Sequence, residues 1–380
     1  MQGGVGAYTR ILARHYADLG HQVFIYADHR ATEDHRNIHL TATVRHWGRG
    51  TIGKIRRWAQ DNALDVINLQ FETAAYGMSA WVHFLPGIVR DVPVVTTFHD
   101  LLPPYLFPKA GKARDWIVMH LARQSAGVIV TNHEDYLRLK DLQTTVLIPI
   151  GSNISNALPA DYDRAEWRSK ANATDADFLV AYFGFMNRTK GIDILLEDTA
   201  QLIGAGYPVK LVMIGGRTGT SDPANHTYAQ EIEQLISELG IAEYITWTGY
   251  VDDEAVSAFL TCCDCVSLPF TDGASYRRGS LMAAIQHGCA IITTKPQVKI
   301  PAFVDGENML LARYELISDS TPPFLHVSPG ILQLYRDEAL RKRLKSGARR
   351  LSAKFRWDNI AADNIRFFRQ VIDATKKDIR

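Results

Sequence analysis

The stretch FLVAYFGFMNRTKGIDILL, from Phe178 to Leu196, decides the fold class of this chain. The segment up to Phe183 is apolar throughout, which is typical of a strand buried on both faces of a parallel sheet. A loop begins at Gly184, and the apolar spacing after Gly191 predicts a helix. A strand, a glycine loop and a helix in this order indicate an α/β fold, in which ligands bind at the carboxyl ends of the strands.

Two cations, Arg188 and Lys190, lie in the loop between this strand and this helix. An arginine can bridge two phosphate oxygens, whereas a lysine acts as a point charge. At the carboxyl end of a strand, both charges suit a ligand phosphate. The loop therefore predicts a phosphate site, and the alternative is a solvated basic loop without a ligand.

Apolar runs alternate with helical patterns along most of the chain, so we predict α/β layers throughout. The polar stretch from Asn153 to Asp177 has little periodicity and is predicted to link two Rossmann-like α/β domains that face each other across a cleft. We place the first domain at 1–155, the second at 156–356 and a C-terminal helix within 357–380. The predicted strands are Val23–Tyr26, Val66–Leu69, Val94–Thr97, Val128–Thr131, Val146–Ile148, Phe178–Phe183, Leu211–Ile214, Tyr244–Thr248, Cys265–Leu268 and Ala290–Thr293.

The composition is that of an ordinary globular protein of 380 residues, which is long enough for two domains. Lys and Arg number 42 and Asp and Glu 41, so the net charge of +1 gives no reason to expect a nucleic acid partner. No apolar run reaches the ~20 residues that span a bilayer, and the N-terminus lacks the pattern of a secretory signal. We therefore expect a cytoplasmic protein, with peripheral contact at the inner membrane face left open.

The residues Gly3-Gly4-Val5-Gly6 precede a helix, and the amides at a helix N-terminus favour an anion. With Asp28 after the next strand, they half-match the fingerprint of a nicotinamide dinucleotide site. A doubly wound domain normally opens with a strand ahead of such a turn. We expect that this first strand is missing from the sequence, rather than that the fold lacks it. For the glycine loop itself, the alternative to an anion site is a tight turn without a ligand.

The segment from Leu268 to Leu281 contains a second candidate anion site. Ser280 is a favourable N-cap residue, and the amides of Gly279, Ser280 and Leu281 would then face an anion. Asp272 lies at a strand end, where a carboxylate can accept hydrogen bonds from sugar hydroxyls. The alternative is a capped helix behind a polar loop.

The cysteines do not indicate a metal site. Cys262, Cys263 and Cys265 are close in sequence, but Cys289 stands apart and Cys265 lies in an apolar strand. A structural zinc site needs paired sets of ligands, so buried small hydrophobic residues are expected instead. We expect neither a metal ion nor another cofactor.

The order and spacing of these segments resemble the retaining glycosyltransferases of glycosyltransferase family 4, which have the GT-B fold. The resemblance covers nearly the whole chain. Besides the N-terminal glycines, it rests on Thr97-Phe98-His99-Asp100, Gly184 to Gly191, Thr248-Gly249-Tyr250-Val251, Asp272 to Ser280, and Phe355-Arg356-Trp357.

This resemblance implies a nucleotide diphosphate sugar as donor and a glycan, a lipid-linked or a small-molecule acceptor. It further implies retention of configuration, no requirement for a metal, and a C-terminal helix that crosses back to the first domain. The implied catalytic residues are His99, Arg188, Lys190 and Asp272. The implied donor-binding residues are Gly4, Gly184, Arg188, Lys190, Gly249, Tyr250, Val251, Asp272, Gly279, Ser280 and Leu281. The implied acceptor-binding residues are Gly3, Gly4, His99 and Asp100.

Three positions depart from the pattern of the family. Phe185 stands where an arginine usually follows the first glycine of the phosphate loop, and Arg188 is expected to supply the missing charge. Asp272 and Ser280 stand in place of two glutamates, and Ser280 cannot make a carboxylate contact with a ribose. Phe185, Ser280 and the missing strand leave a catalytically weak sugar-nucleotide-binding protein as one alternative to a transferase. The N-terminal glycines and Asp28 leave a NAD-dependent oxidoreductase as the other.

Overall fold

The computed structural model describes residues 4–101, 112–142, 144–216, 223–312, 314–315 and 324–378. The chain forms two compact units, of which the first combines Met1–Asn153 with Arg356–Arg380 and the second is Ile154–Phe355. Within the described residues, no helix combines the length and the apolar character that crossing a membrane requires.

The first unit alternates helices and strands from its start. Its helices before the second unit are α1 (Gly4–Asp18), α2 (Arg49–Asp61), α3 (Leu85–Ile88), α4 (Lys112–Gln124) and α5 (His133–Leu139). Its strands are β1 (Val23–Asp28), β2 (Ile38–Val44), β3 (Ile67–Phe71), β4 (Val94–Phe98), β5 (Gly127–Val130) and β6 (Thr145–Leu147).

These strands form two parallel sheets, one of four strands in the order β3-β4-β5-β6 and one that pairs β1 with β2. Helix α1 packs against both sheets. Tyr8 and Leu12 join a core cluster with Val95 of β4, whereas Ala13 packs with Ile25 of β1.

The second unit contains the larger sheet. Its helices are α6 (Arg164–Lys170), α7 (Ile192–Gly204), α8 (Pro223–Leu239), α9 (Asp253–Cys262), α10 (Gly279–Gln286), α11 (Ser328–Arg336) and α12 (Glu338–Ser352). Its strands are β7 (Phe178–Phe183), β8 (Val209–Ile214), β9 (Ile245–Gly249), β10 (Cys265–Leu268), β11 (Ile291–Thr294), β12 (Leu310–Ala312), β13 (Tyr314–Glu315) and β14 (Phe324–Leu325). The last helix, α13 (Trp357–Asp378), belongs to the first unit and packs on α1.

Strand β7 lies in the middle of a six-stranded parallel sheet with the order β12-β11-β10-β7-β8-β9. The chain proceeds from β7 to β8 and β9 on one side and then returns to β10 on the other. The strand order therefore reverses between β7 and β10. In an open α/β sheet, the crevice outside the carboxyl ends of such strands is where ligands bind.

The predicted linker from Asn153 to Asp177 is wrong over α6, which is a helix of the second unit. The Asp163 side chain caps this helix by accepting from the amide of Glu166. Arg168 is 1% exposed and donates to the carbonyl of Cys262, which ties the helix to the unit. The polar composition concealed the helix because its most buried residue is an arginine, and Trp167 is the one aromatic residue that it packs against the core.

Candidate functional site

The loop after β7 brings the ammonium of Lys190 close to the backbone. Gly184 adopts φ +133°, and a Cβ atom placed on it would lie 2.5 Å from Lys190 Nζ. The backbone conformation of Gly184 favours glycine, and a side chain there would displace the Lys190 ammonium. The sequence-predicted pair Gly184 and Lys190 is thus brought together at the carboxyl end of the central strand.

A short 3₁₀ turn from Arg188 to Lys190 fixes this loop. The Asn187 side chain accepts from the amide of Thr189 at 2.8 Å, which caps the turn. Gly191 has φ +61°, and a Cβ on it would lie 2.1 Å from the carbonyl oxygen of Pro269. The loop consequently packs directly against the segment that follows β10, which is the other side of the topological switch.

Lys190 occupies an environment that disfavours its charge. Burial, and secondarily the positive charge of Arg278, lower the pKa of Lys190 from 10.5 to about 8. Among the residues that the structure describes, no carboxylate is ion-paired with Lys190. A half-buried cation without a counter-charge, lying in a crevice, is typical of a site for an anionic ligand.

Arg188 is directed elsewhere. Its guanidinium forms an ion pair with Glu231 of α8 at 2.5 Å and lies over the ring of Tyr228, 5.2 Å from the centroid. Its side chain is 66% exposed. The structure therefore does not join Arg188 to Lys190 in one cluster of charges, and a role of Arg188 in phosphate binding stays a prediction.

The second candidate anion site lies at the start of α10, but its cap differs from the prediction. The helix begins at Gly279, so Ser280 is inside its first turn and the N-cap residue is Arg278. The side chain of Arg278 does not cap the helix. Ser280 is not the N-cap because the amide of Met282 already bonds to the carbonyl of Arg278 at 3.0 Å. The first-turn amides, including those of Ser280 and Leu281, thus receive no side-chain cap.

Asp272 and Arg278 form an ion pair across the loop that precedes α10. The Arg278 guanidinium also lies over the buried ring of Phe270, 4.8 Å from its centroid. Its Nη1 donates to Thr189 Oγ1 at 3.4 Å. Arg278 was not among the predicted site residues, although an arginine two residues before the predicted N-cap was a usable signal.

The loop predicted to bound a nucleotide base lies at the end of β9. Gly249 has φ +67°, Tyr250 is 85% exposed and Val251 is half-buried. The hydroxyl of Thr248 accepts from the amide of Gly215 at 3.2 Å. Since a Cβ on Gly215 would lie 3.2 Å from the carbonyl oxygen of Gly184, these loops adjoin the Lys190 loop.

In the first unit, His99 follows β4 and is held as a neutral imidazole. Its Nε2 hydrogen bonds to Gln70 Oε1 at 3.0 Å, and its ring meets Tyr8 of α1 edge-on, with centroids 4.7 Å apart. Burial lowers the pKa of His99 to about 4. Gln70 was missed by the sequence argument, although a polar side chain in the otherwise apolar end of β3 could have indicated it.

The other predicted residues of the first unit have weaker support. The prediction that the glycines precede the helix is wrong for Gly4 and Gly6, because α1 begins at Gly4; Gly3 lies outside the described residues. Asp100 lies near Glu72, whose pKa is raised by burial and then by the charge of Asp100. Asp28 accepts from Arg30 Nε at 2.7 Å, so the acid of the predicted dinucleotide fingerprint is already engaged.

The four cysteines are free and buried, as expected. Within the described parts of the chain, no group of three or more His, Cys, Asp or Glu side chains could hold a metal ion.

Two family models match the chain. One, described as Glycosyltransferase Family 4, matches residues 2–151, and the other, described as Glycosyl transferases group 1, matches residues 177–319. The first match covers α1 and the His99 loop, and the second covers the Lys190 and α10 loops.

Curated relatives are distant. The chain is 24% identical over 244 residues to an alpha-D-kanosaminyltransferase of Streptomyces kanamyceticus, covering 58% of this chain and 61% of that protein. It is 22% identical over 328 residues to a phosphatidyl-myo-inositol mannosyltransferase of Mycobacterium leprae, covering 85% of this chain and 78% of the relative. Among solved structures, Anabaena HepE in complex with UDP and glucose aligns with a TM-score of 0.72 at 17% identity and covers 96% of both chains. At that identity the likeness concerns the fold.

Proposed function

Because the chain belongs to the glycosyltransferases of family 4 and group 1, and has their GT-B fold, we propose that it transfers a sugar from a nucleotide diphosphate sugar to an acceptor hydroxyl. One observation carries the proposal. The ammonium of Lys190 lies at Gly184, in the loop that packs against the segment leading to the uncapped start of α10, at the switch point of the sheet. A cation near free helix amides suits a diphosphate.

The proposed chemistry uses this site to stabilise the leaving group. The bond between the anomeric carbon and the phosphate oxygen breaks, and a bond to the acceptor oxygen forms. The acceptor proton passes to the departing phosphate, with retention of configuration. Lys190 and the first-turn amides of α10 stabilise the negative charge that develops, so we propose that a metal is not required.

Two further residues have proposed roles at the sugar. The neutral imidazole of His99, fixed by Gln70, is proposed to contact the sugar near its reacting carbon. Asp272 is proposed to orient sugar hydroxyls with the carboxylate oxygens that Arg278 leaves accessible, and its side chain is 47% exposed.

The first donor to test is UDP-glucose, because the HepE structure contains UDP and glucose. A lipid acceptor belongs in the acceptor screen, because the Mycobacterium leprae relative is named for phosphatidyl-myo-inositol. Peripheral contact with a membrane is proposed only together with such an acceptor.

The proposal is tested by a thermal-shift panel of UDP, GDP, ADP, their sugar conjugates and NAD(H), followed by a turnover assay. A ligand at ~100 times its Kd adds about 2.7 kcal/mol, which moves the midpoint by a few degrees. A shift with one nucleoside diphosphate, and turnover that persists in EDTA, are expected. A shift with NAD(H) alone would overturn the proposal, and donor binding without any turnover would indicate a sugar-nucleotide-binding protein.

A further inference from the structure

Arg278 lies beside the loop that carries Lys190. Its Nη1 reaches Thr189 Oγ1 at 3.4 Å, and Thr189 is the residue directly before Lys190. The positive charge of Arg278 contributes to the lowered pKa of Lys190. It also opposes the raised pKa of Tyr182 in the central strand β7. The hydrogen bond to Thr189 thus places a second cation beside the carboxyl end of this strand, and both pKa effects agree with that position.

The charges at this point do not balance. Asp272 is the one carboxylate that the described residues pair with Arg278, and they pair none with Lys190. Two cations and the positive end of α10 therefore face a single carboxylate. Like charges in a half-buried crevice cost stability, and such an arrangement is typical of a site that a bound anion completes.

The guanidinium is also held in a fixed orientation. Its Cζ lies over the ring of Phe270, 4.8 Å from the centroid, and Asp272 accepts from Nη2. The side chain of Arg278 is 19% exposed, so a ligand can reach it. An arginine presents five donors in a rigid fork, which leaves donors for a second acceptor.

We propose that Arg278 is the second cation of the diphosphate site and binds a phosphate oxygen next to Lys190. This inference rests on the proposed function and makes it more specific. Phe185, 48% exposed and uncharged, leaves its own position in the loop without a cation, and Arg188 is engaged by Glu231. Arg278 supplies the charge from the following loop instead.

The test measures binding by calorimetry of inorganic pyrophosphate, of UDP, GDP and ADP, and of uridine. The variants are Arg278→Gln, Arg278→Lys, Arg188→Gln and, as a matched control from the adjacent position, Arg277→Gln. Arg278→Gln should weaken pyrophosphate and the bound nucleoside diphosphate by roughly 10- to 100-fold, the size expected for one charge-assisted hydrogen bond, and should leave uridine unchanged. The affinity of Arg278→Lys should lie between those of the wild type and Arg278→Gln, because lysine keeps the charge. This result would separate loss of the charge from loss of the fold.

The possible outcomes separate this inference from the proposed function. If Arg278→Gln binds pyrophosphate and nucleotide as the wild type does, or if Arg188→Gln loses more affinity than it, Arg278 is not the second cation although the transferase proposal stands. If the wild type binds pyrophosphate in an Arg278-dependent way but binds no nucleoside diphosphate, the anion site stands and the proposed function fails. If the wild type binds neither, both fail.

Discussion

Replacing Lys190 with methionine should stabilise the unliganded protein while it removes donor binding. Methionine keeps most of the length of the side chain but carries no charge into the crevice. The pKa of Lys190 falls from 10.5 to about 8, which corresponds to about 3 kcal/mol of unfavourable free energy for the charged form. The melting temperature of a domain of this size changes by ~2–4 °C for each kcal/mol of stability, so it should rise by several degrees at pH 7.

The size of this effect depends on pH. Below the folded pKa of about 8, Lys190 is charged in both states and the whole cost is present in the folded state. As the pH rises from about 8 to 10.5, the folded protein loses the proton before the unfolded chain does, so the wild type is relieved of the cost. The difference in melting temperature between Lys190→Met and the wild type should therefore shrink toward pH 10.

Differential scanning calorimetry at pH 7.0 and 9.5, with UDP titrations at pH 7.0, measures both effects. Lys299→Met, which removes an exposed lysine of the same unit, is the matched control and should leave the melting temperature and UDP affinity unchanged. Lys190→Met should bind UDP roughly 10- to 100-fold more weakly. A lower melting temperature for Lys190→Met at pH 7, or unchanged UDP affinity, would refute the assignment of Lys190 as an uncompensated cation of an anion site.

Three further predictions follow from the same geometry. Gly191→Ala should destabilise the second unit by about 2–4 kcal/mol in urea titrations, since its Cβ would lie 2.1 Å from the Pro269 carbonyl oxygen; Gly206→Ala, at φ +83° with open space around it, should cost only about 1 kcal/mol. The pKa of His99 is about 4 in the folded protein, so the stability that its neutral form contributes is lost as the pH falls from about 6.5 to 4. His99→Gln should therefore lose less stability than the wild type over that range. Parallel curves of unfolding free energy against pH for the two proteins would contradict a buried neutral imidazole. UDP affinity should fall roughly tenfold per pH unit above about 8 as Lys190 loses its proton, and Lys190→Arg should abolish this dependence in calorimetric titrations.

Much of the fold could be predicted because its strands are apolar on both faces. Phe178–Phe183 was predicted as a strand and is β7 with the same bounds, and the Gly184 loop and α7 follow it in the predicted order. The α/β fold class is confirmed. The helix α6 was missed because its buried residue is Arg168, whose burial depends partly on the carbonyl of Cys262 and the carboxylate of Asp264 from a remote part of the chain. The Asp163 cap with Glu166 was the one local signal, and a cap alone does not show that a helix buries a face.

The start of α10 shows why the details of the site were harder to predict. Serine is a preferred N-cap residue, and this preference placed the helix start at Ser280. In the structure the N-cap is Arg278, two residues earlier, and Ser280 is 8% exposed, so its hydroxyl side chain is packed inside the unit. Propensity describes an isolated helix end, whereas here tertiary packing fixes which residue enters the first turn.

The partners of Arg188 and Arg278 determine which of the two arginines can bind an anion next to Lys190. Sequence spacing favours Arg188, because it lies two residues before Lys190. The ion-pair partner of Arg188 is Glu231, 43 residues further along the chain, and no local sequence pattern predicts that contact. Arg278 is 89 residues from Thr189, yet the close packing allowed by Gly191 brings their two loops together. The residue types of an anion site can therefore be predicted from the sequence, but which cation is neutralised and which is left for the ligand is determined by the packing of β7 against β10.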